Sequence, residues 1–403
     1  MAGDRAGHRP RAVIVGAGIG GLAAAIGLVR AGWQPVVLER SPAPGGSGAG
    51  VSLWSNALEA LDVLAVGEGI RQAGTLQGSG GLRAPDGRWL SRSSGAALLE
   101  RNGVALLMLH RAELHRELLA ALPAGAVVPG ATVVDVDQTA DEVVVGYDTS
   151  DGEKEARGDV VVAADGVHST LRRMFWPETP APAYAGFTAW RGVTDEPIDV
   201  RGEAAETWGR GAEFGLVPLA DGRVYWFGTA NLPERTVFSD QRAEVLRRFE
   251  RWHHPISTVV HATDPAAVLH HDIYHLSRPL PGFHRGRVVL LGDAAHAMTP
   301  NLGQGACIAI EDATVLGSCL ATGTDVERAL ALYDEQRRPR AETMVKMSAR
   351  MGRVIQLRNR AGVALRNLAV RAVPERYAMA GIARVTSWTP PKIGTQEPGH
   401  PTA

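Results

Sequence analysis

The 403-residue sequence has no uninterrupted apolar run long enough to cross a bilayer. It also shows no apolar leader with a cleavage site, so a cytoplasmic protein without a membrane partner is expected. Cysteine is nearly absent. Cys307 and Cys319 form neither a CxxC redox pair nor a zinc-ligand spacing, which excludes a dithiol–disulfide reductase. They read as small buried residues in a reducing compartment. No sign of charge dominates: 42 Lys and Arg face 43 Asp and Glu, which argues against a nucleic-acid surface. Aromatic residues make up only 5% of the chain, so their local concentration is informative. The length supports two domains, or one large domain carrying an insertion.

What is present begins with a dinucleotide-binding opening. Ala12–Val15 is fully apolar, as buried parallel strands are. Gly16 permits a tight turn, Gly18 lets the backbone approach a phosphate, and Gly21 lets helix and strand pack closely. Leu22–Ala31 reads as the helix whose N-terminus faces a pyrophosphate. A second apolar strand, Pro35–Leu38, ends in Glu39, roughly 20 residues beyond the glycines, where a carboxylate accepts ribose hydroxyls. Glycines alone are weak evidence; strand, helix, strand and acid in register are specific.

Two later segments end apolar strands similarly. Asp159–Ala164 leads into Asp165-Gly166, at the edge where open parallel sheets bind ligands. An ordinary strand–turn–helix capped by Ser169 would look the same. Val288–Leu291 runs into Gly292-Asp293. Pro300 then forces an irregular loop, and Gly303-Gln304-Gly305 opens a helix over 306–321. That helix N-terminus would stabilise negative charge. His296 invites a general-acid role, but packing within the motif is the favoured reading.

Together with Gly48–Leu58, His110–His115, Tyr184–Gly192 and Glu311–Ala313, these segments resemble the class A flavoprotein monooxygenases related to p-hydroxybenzoate hydroxylase. The likeness covers residues 11–340 and is strongest to the salicylate-, 3-hydroxybenzoate- and urate-hydroxylase-like members and to zeaxanthin epoxidase. It implies an α/β fold: a Rossmann-like FAD-binding domain of glutathione-reductase type, with an inserted, mostly antiparallel substrate sheet and a C-terminal helical segment. It implies FAD held by Gly16, Gly18, Gly21, Glu39, Arg40, Arg111, Asp165, Asp293, Gly303 and Gly305. In the family the Asp165-type residue touches both FAD and nicotinamide, and the Asp293-type residue holds a ribityl hydroxyl. NAD(P)H is then the reductant and O2 the co-substrate, with oxygen delivered from a flavin C4a-hydroperoxide. Arg191, Tyr225 and Pro300 are the implied catalytic-site residues.

The texture of the chain suggests boundaries. Residues 1–71, 101–178 and 279–340 alternate buried strands and helices, as one FAD-binding unit would. Residues 72–100 and 179–278 are assigned to substrate binding, and 341–403 to a C-terminal helical region. Seven aromatic residues fall between Phe187 and Phe227, in short glycine-bounded strands that suggest a sheet roofing an apolar ring. About half should belong to the sheet's own core, because strands alternate faces. Arg191 and Tyr225 are candidate substrate contacts, with a salt bridge and a core position as the plain alternatives. The urate-hydroxylase-like relatives carry an arginine that would align near Glu213, and its absence weighs against urate. His270, His271, Asp272 and His275 offer at most two ligands per strand face, so no metal is expected. Met344, Met347, Met351 and Val354 recur at helical spacing amid Lys346, Arg350, Arg353, Arg358 and Arg360. A packed helix with a solvated basic face is the first reading of that stripe, a pliable substrate entrance the second, and attachment to a membrane surface the third.

The sequence therefore points to a single-component monooxygenase hydroxylating an aromatic or polycyclic small molecule in secondary metabolism, as monomer or homodimer. Epoxidation and Baeyer–Villiger insertion use the same architecture. An FAD-dependent reductase or oxidase of a lipid-like substrate, or a flavin-bearing binding protein, are the remaining alternatives.

Overall fold

The computed structural model describes residues 9–45, 49–94, 105–321 and 325–394. Gly48, and residues 95–100 of the segment assigned to substrate binding, therefore lie outside the described residues. A six-stranded sheet has the order His284–Arg285, Val288–Leu290, Val160–Ala163, Arg11–Val15, Gln34–Glu39, Val127–Pro129. All neighbours are parallel except the outermost pair, His284–Arg285 with Val288–Leu290. Its central strands are covered on both faces, which is why they read as unbroken apolar runs.

The expected strand–helix alternation over 101–178 is interrupted. Thr132–Gln138, Val143–Thr149 and Gly152–Gly158 form an antiparallel sheet of three strands, inserted before Val160–Ala163. The signal for it was period two: Val143, Val145 and Tyr147 are buried while the residues between them are half-buried.

The second large sheet runs Leu269–His275, Ala183–Val193, Val224–Asn231, Ala212–Pro218, Glu203–Trp208, Ser79–Arg83, Trp89–Ser94. Its two faces divide the aromatic residues. Trp190, Phe214 and Trp226 pack with Val245, Phe249, Ile256 and Val260 from the helices Gln241–Phe249 and Ile256–His261. Tyr225, Val217 and Leu219 pack the other way, against Ala49 and Met108, with Phe227 and Val193 beside them. This second face meets a small antiparallel sheet of Gly50–Trp54, Leu106–His110 and Thr75–Leu76.

The helices Ile19–Arg30 and Gly305–Leu320 lie backbone to backbone. A Cβ on Gly27 would meet the Ala313 carbonyl oxygen at 2.8 Å, and one on Gly317 the Gly27 oxygen at 2.8 Å. Cys307 and Cys319 are buried thiols on the second of these helices, and burial pushes them up to about 12 and about 11. The long helix Val326–Ile355 buries Ala341, Met344, Ser348, Gly352 and Ile355 rather than the whole methionine stripe, and Val354 is exposed. Small residues win that line because the helix docks on the Pro300 loop. The Ser348 hydroxyl donates to the Thr299 carbonyl at 2.5 Å, and Gly352 leaves room for Asn301.

Below that loop lies an ion network closed to water. Asp312 accepts from Gly292 N at 3.1 Å, from His296 Nε2 at 2.5 Å and from Arg337 Nε at 2.7 Å. Arg337 also reaches Glu311 at 2.8 Å, and Arg340 grips Glu311 with two contacts of 2.6 Å. Asn56 Nδ2 donates to the same carboxylate at 2.6 Å. Burial alone would raise the Asp312 carboxyl, but His296 and Arg337 hold it down at about 2. His296 is thus a packed partner of Asp312, as its favoured reading had it.

Asp312→Asn should destabilise the fold by about 3–5 kcal/mol at neutral pH, because it leaves Arg337 buried beside a neutral amide. The sign of the pH dependence is fixed. The folded carboxyl titrates below the unfolded one, so its contribution is complete above about pH 4. It is lost as pH falls toward 2. Denaturant midpoints of parent and variant should therefore converge in acid; a gap of constant size from pH 7 to pH 2 would contradict the network's role.

Candidate active site

The opening loop has the geometry its glycines suggest. Gly16 has φ +104°, and a Cβ there would sit 2.5 Å from the Ala164 carbonyl oxygen. A Cβ on Gly21 would collide with the Gly16 carbonyl, whereas Gly18 faces open space. The loop is braced from two sides. Glu39 accepts from Ala17 N at 2.7 Å and from Ser41 N at 2.8 Å, using one lone pair on each carboxylate oxygen. His115 Nε2 lies 2.8 Å from the Ala17 carbonyl. Arg40, next to Glu39, is exposed.

The Asp165 turn sits at the same edge. Its Oδ2 accepts from Thr170 N at 2.7 Å and Leu171 N at 3.2 Å, while Ser169 caps Arg172 N at 2.9 Å. Ser169 is thus the helix cap, while Asp165 Oδ1 is buried with no protein partner. Arg172 is buried and donates to the carbonyls of Val167 and Ala294, the latter at 2.8 Å. It ties the middle segment to the late one. Burial lowers its pKa, and the nearby Asp165 opposes that.

Asp293 opens the short helix Asp293–His296 after Gly292, whose φ is +62°, and its side chain is exposed. Pro300–Leu302 forms a single 3-10 turn, and Gly303 follows in the left-handed region at φ +62°. Gly303 faces the Trp54 indole, whose Nε1 is buried without a partner. Gln304 caps the helix from Gly305 and leaves its own Nε2 unpaired, after accepting from Asn56 at 3.0 Å. Unfilled donors and an open helix N-terminus at one loop suit a ligand rich in acceptors.

Four side chains from four segments converge beside this edge. His110 Nδ1 caps the helix Arg111–Ala120 by accepting from Ala112 N at 3.2 Å, which places Arg111 at the helix start. Burial lowers the Arg111 pKa, Asp293 opposes this, and the neighbouring Arg191 adds to it. Burial raises the Tyr225 phenol, against the charge of Arg191, a hydrogen bond to it, and the charge of Arg111. The Tyr225 ring lies flat on Gly50, where any Cβ would overlap it. The seven-stranded sheet therefore meets the small antiparallel sheet of Gly50–Trp54, Leu106–His110 and Thr75–Leu76 at a tyrosine against a glycine, with two guanidinium groups nearby.

On the same sheet face, Glu213 and Glu206 hydrogen-bond to each other and to Trp208, and Glu213 also to Thr229. Burial raises both carboxyls, Glu213 well above its ordinary value, with Glu206 adding to the effect. His270 turns the other way and stacks on Trp190 at 5.0 Å, while His271 stands opposite Ala189. Among the described residues, no group of three or more His, Cys, Asp or Glu could hold a metal ion.

Gly16, Glu39, Asp165 and Asp293 thus stand at the carboxyl ends of strands of one sheet, with exposed Arg40 next to Glu39, while Arg111, Asp293, Arg191 and Tyr225 act on one another electrostatically; Pro300, Gly303 and Gly305 lie in the loop before the helix Gly305–Leu320. The sequence reading did not give roles to His115, Arg172 or Trp54. His115 and Arg172 stood inside quoted motifs, but their partners are backbone carbonyls, which leave no mark in a sequence.

A family model described as an FAD binding domain matches residues 10–348. The aurachin C monooxygenase/isomerase of Stigmatella aurantiaca is 38% identical over 380 residues, covering 94% of this chain and 98% of that protein. The 2-heptyl-3-hydroxy-4(1H)-quinolone synthase of Pseudomonas aeruginosa is 36% identical over 372 residues, covering 90% and 94%. The crystal structure of Klebsiella pneumoniae HpxO complexed with FAD and uric acid superposes with a TM-score of 0.86 at 31% identity, covering 94% and 97%. With a family match that spans most of its length, and with the glycine loop, acid and aspartates assembled at one edge, the chain belongs to the FAD-binding-domain family and stands among its FAD-dependent monooxygenases.

Proposed function

We propose that this enzyme hydroxylates a neutral, bicyclic aromatic molecule with an apolar substituent, bound between the Tyr225 face of the seven-stranded sheet and the flavin. The observation that carries this is the buried Tyr225 phenol, acted on by Arg191, set among Val193, Val217, Leu219, Phe227 and Met108. One polar handle in apolar walls fits a ring with a single ketone or phenol oxygen. Residues 72–100 and 179–278 would form the substrate unit on this reading. Glu213 stands near the place where the urate-hydroxylase-like relatives are expected to carry an arginine, which disfavours urate on that face. The quinolone named for the Pseudomonas relative is bicyclic and alkylated, which supports the same substrate class.

The residues present fit FAD. Gly16, Gly18 and Gly21 would receive the pyrophosphate, Glu39 the ribose hydroxyls with its remaining lone pairs, and Asp293 a ribityl hydroxyl. Arg40 would stand at the adenosine side, and Asp165 Oδ1 would find its missing donor. When bound and reduced by NAD(P)H, FAD supplies the activation of O2. The chain's own work is positional and electrostatic. Tyr225 stays protonated because burial raises its pKa, so it donates to the substrate oxygen while Arg191 polarises it. The Gly305 helix N-terminus, Gly303 and Arg111 present positive potential to the flavin. Pro300 holds the loop that shapes this end of the site.

Asp293→Ala should bind FAD about tenfold more weakly, since a ribityl hydroxyl loses its acceptor. Flavin retention after gel filtration measures this, and unchanged affinity would remove Asp293 from the site. Tyr225→Phe and Arg191→Lys should keep FAD and the fold but raise the share of NAD(P)H oxidation that ends in hydrogen peroxide. A loosely held ring lets water reach the flavin, and lysine lacks the planar fork of arginine. Wild-type coupling in both variants would assign these side chains to the sheet alone. Turnover under oxygen-18 gas should label the product; an unlabelled product would favour the reductase or oxidase reading.

A further inference from the structure

The helix Arg360–Ala372 is amphipathic in the inverted sense. Its inner face carries Val363, Arg366, Asn367 and Val370, all buried or half-buried. Arg366 fixes that orientation. It donates to the carbonyls of Ile355 at 2.8 Å, Gly209 at 3.0 Å and Trp208 at 3.2 Å, and its guanidinium lies 5.5 Å from the Trp208 ring centroid. The outer face is Ala361, Ala364, Leu365, Leu368, Ala369 and Ala372, every one exposed and none polar. These positions form a single helical stripe. Leu365 and Leu368 are 68% and 64% exposed, and Val373 and Tyr377 extend the stripe at 46% and 61%. Helices of soluble proteins normally turn such a stripe inward, so this exposed face is a candidate for docking.

The surrounding charge says what kind. From residue 343 to residue 374 the sequence holds Lys346, Arg350, Arg353, Arg358, Arg360, Arg366 and Arg371 and no Asp or Glu, in a chain whose net charge is −1. All of these except Arg366 are exposed. Arg360 and Arg371 bracket the stripe at its two ends. Lys346 is paired with Glu342 at 3.1 Å; a second copy of this chain, docked stripe to stripe about a twofold axis, would set Arg360 and Arg371 against their counterparts with Glu375 as the one acid between residues 360 and 377. An anionic lipid surface meets both demands: acyl chains accept the leucines, and headgroup phosphates accept the arginines.

We propose that the outer face of Arg360–Ala372, with Val373 and Tyr377, docks on an anionic bilayer and lies in its interface plane. The mode is peripheral; no helix of the described residues is long and apolar enough to cross a membrane. Because Arg366 pins this helix to the Trp208–Gly209 end of the substrate-side sheet, docking would hold that sheet close to the lipid.

The test is co-sedimentation of the full FAD-loaded chain with vesicles of phosphatidylcholine alone or mixed with phosphatidylglycerol. Binding to the mixed vesicles should exceed binding to phosphatidylcholine by about tenfold, and should weaken as salt screens the arginines. Leu365→Glu combined with Leu368→Glu should abolish it while FAD content stays unchanged, as both side chains point away from the fold. A separate Arg360→Glu, Arg371→Glu variant should remove the preference for phosphatidylglycerol. No sedimentation with mixed vesicles would overturn the proposal. So would a dimer in sedimentation velocity that the double leucine variant dissolves, which would make the stripe a contact between copies of the chain.

Discussion

The whole site rests on one carboxylate sealed from water. Asp312 takes a backbone N–H from Gly292 and side-chain donors from His296 and Arg337. By fixing Gly292 it fixes where the strand Val288–Leu290 ends and how Asp293 leaves it. Arg172 holds the other side of that turn through the Ala294 carbonyl. Asp293 can therefore stand exposed, ready for a ligand, on a backbone that has no freedom to follow it. A group removed from water is expensive to bury, and such groups persist where their partners over-determine a conformation.

The parts of this arrangement differ in how plainly they were written in the sequence. Gly16 and Gly21 were legible because a backbone contact leaves room for one residue type, and that constraint appears as a letter. Asp165 and Asp293 were legible as ends of apolar strands. The Asp312–Arg337 pair was not, because an aspartate and an arginine 25 positions apart look like any two surface charges until the helices meet. Arg172 and His115 were hidden for a related reason: their acceptors are carbonyl oxygens that every residue has. The methionine stripe misled in part, since spacing reports periodicity but not which neighbour will demand small residues. Ser348 and Gly352 answered the Pro300 loop instead. The aromatic concentration between Phe187 and Phe227 was real, yet alternation sent Trp190, Phe214 and Trp226 into the sheet's own core.

The two sheets play different physical roles. The parallel one is buried on both faces and contributes rigid strand ends. The seven-stranded one buries Trp190, Phe214 and Trp226 under helices on one face; its other face carries Arg191 and Tyr225 at one end, and at the other Glu206 and Glu213 beside Trp208, which meets Arg366 of the helix Arg360–Ala372. Between the two sheets stands the small antiparallel sheet of Gly50–Trp54, Leu106–His110 and Thr75–Leu76, which the seven-stranded sheet meets at Gly50. The absence of a Cβ lets an aromatic ring of the second sheet rest on the backbone of the strand Gly50–Trp54, so ring position and loop position are set together.

The glycine contact between Ile19–Arg30 and Gly305–Leu320 has an electrostatic corollary. The pairs Gly20 with Ala309 and Gly27 with Ala313 show that the two helices run in the same direction. Their dipoles are then parallel and at minimal separation, an arrangement that repels itself. Both positive ends emerge at one edge, and a single anionic molecule spanning that edge would neutralise the two together. Two like poles are thus held in contact by four small residues, and negative charge at that edge, from Glu39 beside the first helix or from a bound anion, relieves their repulsion.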